Sequence, residues 1–160
     1  MHRQQPIDGA LAAMKRLAEI ADIVILTNLM DHHNENRAAQ LRAVGIHAPV
    51  FTNQGGKGPA LQRIVEQFDP SVTVFVDDLG NHHESVGETM PDVWRLHFVG
   101  EPVLWERVKP SRAAHARLDR WGEAADWVID KLLAANPAPD LSLEKEITGP
   151  TPAILNRFWP

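Results

Sequence analysis

Val72-Thr-Val-Phe-Val-Asp77-Asp78 decides how this chain is read. Its apolar residues run on without alternating, and three of them are valines, which pack well on a pleated surface. A strand buried on both faces has that pattern. Two carboxylates follow at once, at the carboxyl end, where open α/β sheets place their ligands. Adjacent ionised carboxylates repel one another, and a hard cation such as Mg²⁺ relieves that repulsion. Aspartate is also a common turn residue after a strand, so the rest of the chain has to separate a site from a turn.

Working outward, Ile23-Val-Ile-Leu26 is a second continuous apolar run, and it ends in Thr27-Asn28. A shorter strand is expected near Pro49 to Thr52, leading into Asn53-Gln-Gly-Gly-Lys57-Gly-Pro, and another from Val93 to Val99. Helices are expected between them. Asp8 can cap one running to about Ala21, with Leu11, Met14, Leu17 and Ala18 on one face. A second spans about Glu35 to Val44, with Gly45 past its end. A third carries Leu61, Ile64, Val65 and Phe68 on one face and stops at Asp69-Pro70. The loop from Leu79 to Ser85, with its His82-His83 pair, precedes a short helix. From Ser111 to about Ala135 the pattern is helical, with Ala114, Leu118, Trp121, Ala125, Val128 and Leu132 as the buried stripe. Such alternation predicts an α/β fold, Rossmann-like, with a mainly parallel sheet and helices on both faces. Residues 1–135 form the core in this reading. Residues 136–160 form an irregular, proline-rich tail, with Phe158 and Trp159 able to dock.

Composition narrows the function classes. At 160 residues and 44% hydrophobic, the chain is long and apolar enough for one domain with a real core. A net charge of −5 with bases and acids interspersed argues against a nucleic-acid partner. The absence of cysteine excludes disulfides, thiolate metal sites and a cysteine nucleophile. No apolar run reaches membrane-spanning length and the first residues lack the core of a signal peptide, so a cytoplasmic protein without a membrane partner is expected.

Three consecutive strand ends then carry chemistry on one rim: the Thr27 hydroxyl with Asn28 beside it, the Lys57 ammonium, and the Asp77-Asp78 carboxylates. Phosphoryl chemistry asks mainly for positioning and for charge neutralisation at the equatorial oxygens, which such groups supply. Each alone is unspecific, because many strands end in threonine and a lysine in a glycine loop is usually solvated. Their joint occurrence, in this order, is the stronger signal. The glycine loop is not a Walker-type phosphate loop, since Phe51 stands where the first glycine belongs and Gly58 where a serine or threonine belongs. A receiver domain is excluded by order, because there the acidic pair comes first.

On these residues the chain resembles the haloacid dehalogenase-like hydrolase superfamily, over roughly Ile7 to Val99. Ile23-Val-Ile-Leu-Thr27-Asn28 is similar to the family's second motif, whose hydroxyl binds the transferred phosphoryl group. Lys57 is similar to the third, which neutralises phosphate and nucleophile, and Val74-Phe-Val-Asp77-Asp78 to the fourth, which holds Mg²⁺. The resemblance implies hydrolysis of a phosphorylated small molecule, with Thr27, Asn28, Lys57, Asp77 and Asp78 as site residues and Mg²⁺ bound by Asp77 and Asp78. One motif is missing. The family opens with a strand ending in Asp-x-Asp-x-Thr or Val, whose first aspartate is the nucleophile, and no such pattern occurs here. That strand sits at the centre of the family's sheet, between those corresponding to Thr27 and Asp77. These residues alone are therefore expected to lack phosphatase turnover, either because the polypeptide begins upstream or because this is an inert, shortened relative. The strands ending at Thr27 and Asp77 are expected to pair directly or to drive self-association, because an unfilled edge of Ile, Val and Phe is sticky. The alternative is a non-catalytic binding or interaction module that keeps the fold and a phosphate or metal site.

Two histidine pairs, His32-His33 and His82-His83, follow strand ends on loops of the same rim. A metal or phosphate site, with Asp31 or Glu84 as helpers, is one reading; substrate-contacting or simply polar loop residues is the one favoured. His97 alternates with apolar neighbours and is read as structural, and His115 as a surface helix residue. Trp121 and Trp127 lie six apart on the long helix and point different ways, one to the core.

Overall fold

The computed structural model describes residues 6–142. Its five strands are β1 (Ile25–Asn28), β2 (Val50–Asn53), β3 (Val74–Asp77), β4 (Trp94–Phe98) and β5 (Ala116–Leu118). Between and around them run α1 (Ala10–Ala18), α2 (Asn34–Ala43), α3 (Gly58–Phe68), α4 (Gly80–Thr89) and α5 (Trp121–Ala134). The α/β class and the parallel strands agree with the alternation in the sequence.

The sheet is divided. β1 pairs with β2, and β3 pairs with β4 and β4 with β5, every pairing parallel. β1 and β3 belong to different sheets, so the direct pairing expected of them is not formed. What joins the two sheets is helix. α1 packs on α5, and α3 packs on α4. Two cores also bridge the sheets, one through β1 itself and the other through Ile23 just ahead of it. Leu26 of β1 and Phe75 of β3 meet Leu61, Val86 and Val93 in one of them. Ile23, Val74 and Val76 pack on Leu17, Leu96, Phe98, Ala124 and Val128 in the other. Successive residues of a strand point to opposite faces, so β3 sends Phe75 to one core and Val74 and Val76 to the other. Val74 and Val76 are only half-buried, as befits a strand with a free edge.

The first helix differs from its sequence reading. It starts after Gly9, whose φ of 81° is comfortable only for glycine, and Asp8 makes no cap. Ala10, Ala13 and Leu17 are buried, whereas Leu11 is 44% exposed. Small residues mark this face because α1 lies against α5, which offers the buried Ala124 and Ala125. The long helix expected from Ser111 is in fact β5 followed by α5. Ala114 and Leu118 share a helical spacing of four, but Arg117 bonds Asp119 (Nε to Oδ1, 2.6 Å) and the Val108 carbonyl (2.7 Å) and the chain stays extended. Three residues are too few to show a period of two.

Residues 136–142 are not wholly irregular. The Trp94 indole N–H donates to the Asn136 carbonyl (2.8 Å), and the amide of the buried Ala138 donates to the Asp92 carbonyl (2.9 Å). The docking expected of Phe158 and Trp159 falls outside the described residues. Among the described residues, no helix is long and apolar enough to cross a membrane.

The α3–α4 contact sets a sharp constraint. The Gly58 amide donates to Ser85 Oγ (2.9 Å), and a Cβ at Gly58 would overlap the Ser85 carbonyl oxygen and the Thr89 hydroxyl. Gly58→Ala is therefore expected to destabilise the protein by about 2 kcal/mol or more in urea unfolding. Gly122, in α5, has open space where its Cβ would lie. There the same change should stabilise by about 0.5–1 kcal/mol.

Candidate functional site

The carboxyl ends of β1, β2 and β3 converge. Lys57, between the Gly55-Gly56 turn and the first residue of α3, reaches Asp77 at the end of β3, with Nζ 2.5 Å from Oδ2. Both residues are 9% exposed. A buried ammonium or carboxylate is tolerated only with a partner, and removing one member of such a pair generally costs about 3–5 kcal/mol. The other Asp77 oxygen is also used, accepting the Leu79 amide N–H (Oδ1, 2.9 Å). Asp78 differs: its residue is exposed.

Asn28 ties the tip of β1 to this centre. Its Nδ2 donates to the Gly55 carbonyl (3.1 Å) and lies 3.4 Å from His82 Nε2, while its Oδ1 accepts from Asn53 Nδ2 (3.2 Å). Thr27 precedes it, half-buried and in register with Thr52 of β2. The structure thus brings Lys57 and Asp77 into contact and fastens Asn28 to the loop that carries Lys57. Thr27 and Asp78 sit beside these residues in the chain.

The two histidine pairs part company. His32 and His33 are exposed in a 3₁₀ turn (Asp31–His33). His82 and His83 are not loop residues at all. They lie in the first turn of α4, 3% and 0% exposed, which corrects the polar-loop reading. His83 Nε2 donates to the Asp77 carbonyl (3.0 Å), and His97 Nε2 donates to the Asp78 carbonyl (2.9 Å). The structural reading of His97 stands, though its bond leads to the acidic pair. His115 is half-buried ahead of β5, where its Nδ1 accepts the Arg95 amide (3.0 Å); the surface-helix reading is corrected too.

A signal for His82 and His83 was available. They precede Val86 by four and three residues, which puts both near the buried face of a helix as soon as that helix is begun at Gly80. For His97 the signal was period two: Arg95 and His97 share one face of β4, opposite Leu96 and Phe98.

The donor set constrains any cation. Among the described residues no group of three or more His, Asp or Glu side chains is arranged to hold a metal. Two carboxylates suit Mg²⁺ only if water and phosphate oxygens complete its octahedron, which is that ion's usual habit. Two pockets among the described residues lie elsewhere. One of about 350 Å³ is lined by Glu88, Arg95, Arg112 and Asp140, another of about 260 Å³ by Phe51, Ala60 and Ile64, and neither includes Thr27, Lys57 or Asp77.

Compared with known protein families, with characterised proteins and with solved structures, the chain matches none.

Burial gives the centre a pH dependence. Desolvation lowers His83 to about 4, against an ordinary value of 6.5, and lowers His115 as well. Between these two values the unfolded chain binds the proton that folded His83 refuses. Stability therefore rises with pH in that window and is lost as pH falls from about 6.5 towards 4, by up to about 3 kcal/mol for His83. Urea midpoints at pH 7 and pH 4.5 should fall further apart for the wild type than for His83→Phe.

Proposed function

We propose that this chain is a haloacid dehalogenase-like phosphohydrolase core that binds the phosphoryl group of a phosphorylated small molecule. Lacking an aspartate nucleophile within these 160 residues, it does not turn the ester over alone. The observation that carries the reading is the buried Lys57–Asp77 pair, two residues 20 apart in sequence brought together at the carboxyl ends of parallel strands. In this reading Lys57 neutralises phosphoryl charge, while the Thr27 hydroxyl and the Asn28 side chain orient the oxygens. Asp77 and Asp78 would hold Mg²⁺, which supplies further neutralisation at the phosphoryl oxygens when bound.

The division of the sheet supports the same reading. The family resemblance puts its first strand, the one with the nucleophile, between the counterparts of β1 and β3, and those two strands lie in separate sheets here. Phosphoryl transfer depends largely on positioning and electrostatics, so a core of this kind can retain binding while chemistry is absent.

A second reading, a non-catalytic binding module, is favoured by one feature. Both Asp77 oxygens already accept from protein donors, so the pair is satisfied without a ligand. Hydrolysis of p-nitrophenyl phosphate with Mg²⁺ separates the two. The 160-residue chain should show no turnover, and a fusion placing a strand that ends in Asp-x-Asp ahead of Met1 should show it. Turnover by the chain alone would contradict the nucleophile argument, and inactivity of a folded fusion that still binds phosphate would favour the binding module.

A further inference from the structure

We propose that His83 and His97 are positioning residues, whose imidazoles grip the two successive main-chain carbonyls of Asp77 and Asp78 and thereby aim the acidic pair. The inference rests on the reading of that pair as the working end of the site.

A carbonyl oxygen can only accept, so each ring must carry its proton on Nε2. For His97 the tautomer is fixed from the other side as well, because its Nδ1 accepts the Ser111 amide N–H (2.9 Å). Both rings are sealed from solvent, at 0% and 1% exposure, with centroids 5.3 Å apart, and Phe75 lies edge-on to His83 at 5.3 Å. They approach from different elements, His83 from α4 and His97 from β4.

Asp77 is the last residue of β3 to pair with β4, opposite His97. Its carbonyl and that of Asp78 lie at the ladder's end, where buried carbonyls need other donors. Holding both oxygens fixes the peptide planes on either side of Asp78 and so the directions in which the two side chains leave the backbone. Asp77 is then anchored at both ends, through its carbonyl to His83 and through its carboxylate to Lys57 and the Leu79 amide. Asp78 is anchored through its main chain while its residue stays exposed. A tethered backbone under an outward-facing acid is a useful arrangement for meeting a ligand. Packing alone would not select these rings, because His83 Nδ1 is buried without a partner. The Ser111 link carries the same grip to the loop that follows β4, so that loop, β4, α4 and the acidic pair form one hydrogen-bonded unit.

The test uses the full chain and four variants. His83→Phe and His97→Phe keep ring and volume but remove the donor, and His83→Gln and His97→Gln keep an N–H donor near the Nε2 position. One readout is hydrogen exchange of the Leu79 amide without metal. The other is the response of the Asp77 and Asp78 carboxyl carbons to added Mg²⁺, read by NMR. In the phenylalanine variants Leu79 should exchange about tenfold faster or more while distant core amides stay protected. Mg²⁺ affinity should fall about tenfold or more. The glutamine variants should stay close to wild type on both. Unchanged exchange in folded phenylalanine variants, or equal losses in the glutamine and phenylalanine variants, would overturn the proposal. If a phenylalanine variant does not fold, His97→Gln against His97→Asn decides, since asparagine's amide reaches the Ser111 side but not Asp78; equal Leu79 exchange in those two would overturn it. A wild type that ignores Mg²⁺ yet shows the exchange pattern would sink the metal reading and leave the grip on the acidic pair standing.

Discussion

The contact between the Lys57 ammonium and the Asp77 carboxylate governs how the rest of the molecule can be arranged. Neither charge survives burial alone, so the loop leaving β2 and the end of β3 must arrive at one place. That convergence presses the start of α3 against α4. Gly56 and Gly58 both lie so close to Ser85 that neither could carry a side chain without displacing it, and the Gly58 amide uses the Ser85 hydroxyl. It also draws in β1, through Asn28 on the Gly55 carbonyl. A buried ion pair contributes little net stability, because desolvation offsets most of the attraction. Its effect is on which arrangement the chain adopts, and here that arrangement assembles the rim.

The divided sheet follows a different logic. A single sheet would be held by its backbone ladder across every strand. Here the ladder is interrupted and the two parts are held by side chains instead, through α1 on α5, α3 on α4, and the two shared cores. Hydrophobic contacts of this kind are non-directional, whereas ladder hydrogen bonds fix register. The relative placement of β1 and β3 therefore relies on a few directional contacts, among them the Lys57–Asp77 bond, the approach of Asn28 to His82, the Gly58 amide on Ser85 Oγ and the Arg16–Asp126 pair between α1 and α5. The first two are at the carboxyl ends, so the site helps to join the two halves.

How much of this was legible in the sequence depends on burial. The runs ending at Thr27 and Asp77 announced strands by their unbroken apolar residues, and Lys57 could be placed because glycines flank it. β5 was not legible: three residues cannot display a period, and Ala114 and Leu118 happen to sit four apart. The face of α1 was read only in part: Leu17 is buried as expected, but the stripe continues through Ala10 and Ala13, whose small size suits close helix packing, while Leu11 looks outward. His82 and His83 were misjudged by residue type, whereas the alternation around His97 gave its structural role. A polar ring near a strand end suggests a solvated loop, but His83 is buried with its Nε2 hydrogen-bonded to the Asp77 carbonyl. The divided sheet was not foreseen: direct pairing or self-association was expected, and nothing in a strand's own residues states which edge will be filled.

The central claim is that these strand ends form a phosphoryl pocket around Lys57 and Asp77. An NMR titration of the 160-residue protein with orthophosphate in the presence of Mg²⁺ tests it most directly, with Lys57→Met as the control. The account predicts saturable shifts at Thr27, Asn28, Lys57 and the amides of residues 77–80, all abolished in the variant. Shifts confined to the Arg95 cavity, or none at saturating phosphate, would contradict it.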